Sequence, residues 1–121
     1  MTSRVGQGEY HQALLDKFEG KFAVTQLDIE EVLIASHIVP WRDSNDLERL
    51  DPDNGILLSP NYDALFDKHL ISFEDSGEII VSPMIKPNQL SLLGISTEAK
   101  ISVTELRKPY LARHRAKLRY H

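Results

Sequence analysis

Residues 36–41 read Ser36-His37-Ile38-Val39-Pro40-Trp41, and after a polar stretch the chain runs Asp51-Pro52-Asp53-Asn54-Gly55-Ile56-Leu57-Leu58-Ser59-Pro60 and then, from residue 63, Asp63-Ala64-Leu65-Phe66-Asp67. Residues 34–39 read as a strand that Pro40 limits. Residues 56–58 form a second, compact strand behind the Asn54-Gly55 turn signal. Ser59 suits a helix cap and Pro60 a first helical position, so a helix is expected over about residues 60–69. The order is strand, long loop, strand, helix. It puts His37 near the end of the first strand, Asn54 just before the second and Asp63 in the first turn of the helix. Antiparallel strands lie only about 4.8 Å apart, so these three residues fall within reach of one point. The helix N-terminus turns unpaired N–H groups and partial positive charge toward the same point. A histidine, an amide and a carboxylate gathered there suit metal-assisted attack on a phosphodiester. The cation stabilises charge on the phosphoryl oxygens, and the imidazole takes a proton from water.

Outward from this centre the signals are simpler. Tyr10, Ala13, Leu14 and Phe18 recur at helical spacing and Gly20 follows them, which predicts a helix over about residues 8–19. Residues 21–25 are a short apolar strand candidate. Asp28 with Glu31 three positions later resembles a capping box, so one or two helical turns are expected over residues 28–33. Residues 40–55 read as a polar loop. Residues 70–73 and 78–81 alternate around Asp75-Ser76-Gly77, a hairpin signal. Residues 83–100 read as irregular, with one turn near residues 89–93. A last helix over about residues 109–119 begins at Pro109. Trp41, Leu65 and Phe66 are core candidates. No internal repeat or low-complexity tract interrupts the pattern.

Composition sets the frame. At 121 residues the expectation is one domain, spanning 1–121 with a core over about 21–82. The 41% hydrophobic and 26% charged fractions are those of a globular chain, which excludes wholesale disorder. No apolar run approaches the length of a transmembrane helix, and Met1–Gly6 carry no apolar leader signal, so a cytoplasmic protein with no membrane partner is expected. The absence of cysteine excludes disulfides and thiolate metal sites. The net charge of -4 argues against a polyanionic partner if spread evenly, but it is not. Six of the 14 basic residues (Arg107, Lys108, Arg113, Arg115, Lys117 and Arg119) lie in the last 17 positions, while the carboxylates crowd the centre.

The three quoted segments together resemble the HNH endonuclease family. More narrowly they are similar to a bacterial, restriction-type branch with a Ser-His-Ile-x-Pro-Trp lead. Gly6-Gln7-Gly8 and Tyr110-Leu111-Ala112-Arg113-His114-Arg115 add to the likeness, which spans about residues 4–115. The resemblance implies an α+β fold: a ββα-metal core with flanking helices and an additional β-hairpin. It implies metal-dependent hydrolysis of DNA phosphodiester bonds, related to restriction or defence. His37 matches the general base, and Asn54 the residue that holds the loop and orients that base. Asp63 stands where the family's final histidine ligates metal; a carboxylate there favours Mg²⁺ or Mn²⁺, with Ni²⁺ or Zn²⁺ as alternatives. Ser36 stands where many relatives carry a ligand just before the base, and Asp53, Asp67 and His69 are the candidates to supply the missing group. One divalent cation is expected and, without cysteine knuckles, no structural zinc.

Arg113, His114, Arg115 and Lys117 are the candidate DNA contacts on the basic helix. Little of a chain this size is left over for sequence readout, so a specificity domain, a homodimer partner or a larger restriction enzyme is the expected context. Two other classes compete with the nuclease. One is a catalytically degenerate DNA-binding module on the same fold, with Ser36 and Asp63 as its symptoms. The other is an interaction domain without nucleic acid. Taken singly, His37 reads as a strand histidine, Asn54-Gly55 as a turn, Asp63 as a favourable charge in a helix first turn and Asp67 as a solvated or salt-bridged helix carboxylate; only their combination points to chemistry.

Overall fold

The computed structural model describes residues 7–22, 24–25 and 27–119. Along the chain lie α1 (Gln7–Lys17), a 3-10 turn (Glu30–Val32), β1 (Ile34–His37), a second 3-10 turn (Trp41–Asp43) and α2 (Asp46–Leu50). Then come β2 (Gly55–Leu58), α3 (Pro60–Asp67), β3 (Ile71–Phe73), β4 (Ile79–Val81), α4 (Pro87–Leu93) and α5 (Lys108–Arg115). Helices and two small antiparallel sheets, β1-β2 and β3-β4, make this an α+β fold. Among the described residues no helix is long and apolar enough to cross a membrane.

The register of the first sheet fixes everything around the candidate site. Ile34 pairs with Leu58, Ser36 with Ile56 and His37 with Gly55. β2 is buried along its whole length, as its unbroken apolar run requires. Tyr10 and Leu14 of α1 pack in the same core as Ile56, Leu57, Leu58, Tyr62 and Phe66. α3 contacts both β1 and β3, and α5 lies against β3, so the second sheet carries the C-terminal helix.

Four expectations are corrected. Residues 21–25 form no strand in their described part: Val24 and Thr25 make a turn, and the Phe22 N–H donates to the Leu27 carbonyl at 2.9 Å. Phe22 is fully buried, but the segment has no neighbouring strand to pair with. Ala23 lies outside the described residues, as do Gly6 of the Gly6-Gln7-Gly8 signal and all of Met1–Gly6. The capping box at Asp28 does not form; Leu33 must be buried and β1 must start at once, which leaves room for a single 3-10 turn entered from Ile29 without a side-chain cap. The polar loop contains α2, held by a reciprocal capping box: the Glu48 N–H donates to Asn45 Oδ1 at 2.8 Å and the Asn45 N–H to Glu48 Oε1 at 3.0 Å. The single turn near residues 89–93 is a helix, α4, beginning at Pro87 and closed by Gly94 in the left-handed region at φ 72°.

α3 ends at Asp67 rather than residue 69, because His69 adopts φ 58° and turns the chain into β3. Ser59 precedes the helix as expected, but its hydroxyl donates to Asn61 Oδ1 at 2.6 Å instead of capping a helical N–H.

Candidate active site

His37 closes β1, and its ring is gripped from three sides. Its Nε2 donates to the Arg49 carbonyl at 2.9 Å. A carbonyl only accepts, so in the neutral ring Nε2 carries the proton and Nδ1 the lone pair. The Tyr10 ring stacks on the imidazole with centroids 4.2 Å apart and planes 3° from parallel, and the Trp41 ring meets it edge-on at 5.7 Å. Trp41 is held in turn by Arg49, whose guanidinium lies 4.6 Å from the indole centroid and whose Nε donates to the Trp41 carbonyl. The capped helix α2 thus supplies the backbone acceptor that fixes the imidazole.

Asn54 is fully buried and ties the two ends of the long loop together. Its Oδ1 accepts from the Val39 N–H at 2.8 Å, and its Nδ2 donates to the Glu48 carbonyl at 3.0 Å and to Ser44 Oγ at 3.3 Å. Its own carbonyl accepts from the Ile38 N–H and from the Tyr10 hydroxyl at 2.6 Å. Every polar group of the residue is used, and the bonds from Ile38 and Val39 set the path of the chain just after His37.

Across from the imidazole, α3 contributes two carboxylates one helical turn apart. Ser36, His37, Trp41, Arg42, Asp63 and Asp67 line one open cleft of about 400 Å³. The Ser36 hydroxyl donates to Asp63 Oδ1 at 2.5 Å. Burial pushes the Asp63 carboxyl above its ordinary value and the nearby Asp67 charge adds to this, against the opposing Ser36 hydrogen bond. Among the described residues no three or more His, Asp or Glu side chains gather into a ready-made cage for a metal. Two carboxylates and a hydroxyl are nonetheless an all-oxygen donor set. It fits a hard cation that keeps several of its waters, the habit of Mg²⁺. A positive charge here would also relieve the crowding of Asp63 and Asp67.

The other candidate ligands lie elsewhere. Asp53 is buried against Arg107, with 3.7 Å between the charged atoms, and accepts from the Thr104 hydroxyl at 3.2 Å. His69 stacks on His114 at 4.3 Å, in a second, smaller cavity with Arg113 and Lys117. Both are spoken for by structure: Asp53 neutralises a buried guanidinium, and His69 fills the corner between α3 and α5.

The basic helix is likewise engaged with the protein. His114 is 2% exposed; its Nε2 donates to the Phe66 carbonyl at 2.9 Å, and the Ser72 hydroxyl donates to its Nδ1 at 2.8 Å. Burial drives its pKa down to about 4, so it is a neutral core residue and not a phosphate contact. Arg115 spans the Phe73 carbonyl and Asp75, each at 3.0 Å. Arg113 pairs with Glu48 at 2.7 Å and Lys117 with Asp43 at 2.8 Å, so α5 is clipped to α2 and the turn before it. Arg113 and Lys117 remain about half exposed.

Sequence reasoning missed three residues around the base: Tyr10, Arg49 and Arg107. Tyr10 was visible only as an apolar helix position. Arg49 meets His37 through its backbone carbonyl, which no side-chain pattern reports. Arg107 donates from Nε to the Gly55 carbonyl at 3.0 Å and so supports the strand that faces His37.

Residues 23–74 match a family model described as HNH endonuclease. No curated protein matches the chain. The matched span contains His37, Asn54, Ser36, Asp63 and Asp67, and it leaves out α1 and α5. The likeness covers the segment that builds the cleft, less than half of the chain.

Proposed function

We propose that the protein is a divalent-metal-dependent DNA endonuclease whose ββα-metal core is β1, β2 and α3. The observation that carries this reading is the fixed imidazole. His37 holds Nε2 on the Arg49 carbonyl and lines the cleft shared with Asp63 and Asp67. His37 accepts a proton from water at Nδ1 as the water oxygen bonds to phosphorus, and the opposite phosphorus–oxygen bond breaks with its electron pair going to the leaving oxygen, which takes a proton from solvent. Asn54 holds the chain after His37, and the desolvated Asp63 with Asp67 would hold the cation, with Ser36 fixing the rotamer of Asp63. When bound, a cation such as Mg²⁺ or Mn²⁺ supplies positive charge for the phosphoryl oxygens. One cation suffices, because the cleft brings two carboxylates together and not four.

The substrate is DNA, met in a cytoplasmic setting. Sequence or modification recognition comes from another domain, another chain or a second copy, as in a restriction system. A second reading, a DNA-binding module on the same fold without cleavage, is favoured by one observation: the described residues include no three-ligand cluster. Incubation of supercoiled plasmid with purified protein in Mg²⁺, Mn²⁺ or EDTA separates the two. The nuclease reading expects nicked and linear DNA with either metal and none in EDTA. Salt-dependent DNA binding with no cleavage under any metal would favour the module.

A further inference from the structure

The imidazole is held from a helix that lies outside the matched stretch. Tyr10 of α1 is 2% exposed and covers one face of His37 in a parallel stack, with centroids 4.2 Å apart. Its hydroxyl reaches past the ring to the Asn54 carbonyl at 2.6 Å, and that same carbonyl accepts from Ile38, the residue after His37. Room for this approach exists only because the cross-strand partner of His37 is glycine. A Cβ on Gly55 would lie 2.1 Å from the Tyr10 hydroxyl oxygen and 2.8 Å from Leu14 Cδ1. Such distances are far inside van der Waals contact, so the placement of the Tyr10 side chain requires the bare Gly55 backbone. Arg107 then pins the Gly55 carbonyl from the C-terminal side.

We propose that Tyr10 is a positioning residue for His37, and that α1 is therefore part of the working site and not an appendage to it. The role rests on the reading of His37 as the base. Tyr10 acts through two separable contacts. The ring blocks rotation of the imidazole about χ2, which keeps Nε2 on the Arg49 carbonyl. The hydroxyl is a second donor to the Asn54 carbonyl, which the Ile38 N–H already satisfies, and is the lesser of the two contacts. An imidazole free to flip would turn Cδ2–H to where Nδ1 had stood, break the Nε2 bond to the Arg49 carbonyl and lose alignment with the scissile bond. Displacements of about 1 Å at a reacting group can cost on the order of 10²-fold in rate.

Two substitutions separate the contacts. Tyr10→Phe keeps the stack and drops the hydroxyl bond; Tyr10→Leu keeps apolar bulk and drops the stack. Each variant is checked for folding by circular dichroism and thermal melting, and kcat and KM are measured on DNA. The tautomer of His37 is read separately from long-range ¹H–¹⁵N correlations of the imidazole, assigned by comparison with His37→Ala. Tyr10→Leu is expected to lower kcat about 10- to 100-fold with KM little changed, and to replace a pure Nε2–H signature by an averaged one. Tyr10→Phe is expected to stay within about threefold of wild type and to keep the Nε2–H signature. The spectrum needs no cleavage, so an inactive wild type would sink the nuclease reading while leaving the positioning role open to measurement. A folded Tyr10→Leu with wild-type kcat or an unaltered His37 tautomer overturns the proposal. So does a Tyr10→Phe variant that loses as much as Tyr10→Leu. If Tyr10→Leu does not fold, Tyr10→Met, which also removes the stack, is read by the same kinetic and spectral limits.

Discussion

Replacing Asn54 with alanine removes one hydrogen-bond acceptor and two donated bonds from a fully buried position, and the structure says which loss matters. The Glu48 carbonyl still receives the Asp51 N–H at 3.3 Å, and the Ser44 hydroxyl still donates to the Val39 carbonyl at 3.1 Å. The Val39 N–H, which donates to Asn54 Oδ1 at 2.8 Å, is left with no replacement named by any neighbouring group. An orphaned buried N–H costs about 1–3 kcal/mol, and the small void left by the amide adds roughly 1 kcal/mol. Asn54→Ala should therefore destabilise the fold by about 2–4 kcal/mol. Asn54→Asp keeps an acceptor for Val39 but sets a carboxylate oxygen against the Glu48 carbonyl, so it should cost at least as much. Urea unfolding followed by circular dichroism at pH 7 reads both, as a lower midpoint at unchanged slope. A loss below about 0.5 kcal/mol for Asn54→Ala would show that water replaces the amide and that Asn54 does not hold the loop.

Three further outcomes follow from the same geometry. The pKa of His114 is about 4 when folded and near 6.5 when unfolded, so the unfolded chain takes up a proton that the folded one refuses; stability should fall by up to about 3 kcal/mol between pH 6.5 and pH 4. His114→Gln, which retains a donor for the Phe66 carbonyl, should remove that component, and a stability difference from wild type that does not change with pH would contradict it. Asp63→Asn should weaken Mg²⁺ or Mn²⁺ binding at least about 10-fold by calorimetry, and Asp63→His should shift preference toward Ni²⁺ or Zn²⁺; equal Mg²⁺ affinity for wild type and Asp63→Asn would remove Asp63 from the ligands. Arg113 and Lys117 are already paired with Glu48 and Asp43, so Arg113→Gln with Lys117→Gln should change the salt slope of DNA binding by less than about one unit in all, measured by fluorescence anisotropy; a fall of about two would mean both leave their partners for phosphates.

The centre of the fold was legible because its signals are local. Residues 34–37, 55–58 and 60–67 are each short, bounded by Pro, Gly or Ser, and apolar in the right period, so strand, strand and helix could be placed within a residue or two. The hairpin of β3 and β4 was legible for the same reason, around its Asp75-Ser76-Gly77 turn. α2 was missed although Asn45 and Glu48 stand at capping-box spacing, because Leu47 and Leu50 both face solvent and leave no buried stripe to notice. The apolar run at residues 21–25 misled in the opposite sense: Phe22 is buried, but burial alone does not make a strand without a partner edge.

Long-range pairing explains the remaining differences. The basic tail read as an exposed cationic face, yet the carboxylates that meet Arg113 and Lys117 are Glu48 and Asp43, 65 and 74 residues earlier. His114 looked like part of that face and lies instead under Phe66 and Ser72. Of the candidate ligands, Ser36, Asp63 and Asp67 share the cleft because β1 and α3 are neighbours. Asp53 points to Arg107, a residue whose burial no local pattern announces. Tyr10 became visible only once the register put Gly55 opposite His37.

The central claim is that His37, fixed by Arg49 and facing Asp63 and Asp67, activates water for phosphodiester cleavage. Its most direct test is the single-turnover rate of supercoiled plasmid nicking in saturating Mn²⁺ or Mg²⁺, compared between wild type and His37→Ala preparations of equal folded fraction and equal DNA affinity. A loss of at least about 10²-fold is the expected result, since that is what a removed general base costs. Cleavage by folded His37→Ala at the wild-type rate would contradict the account.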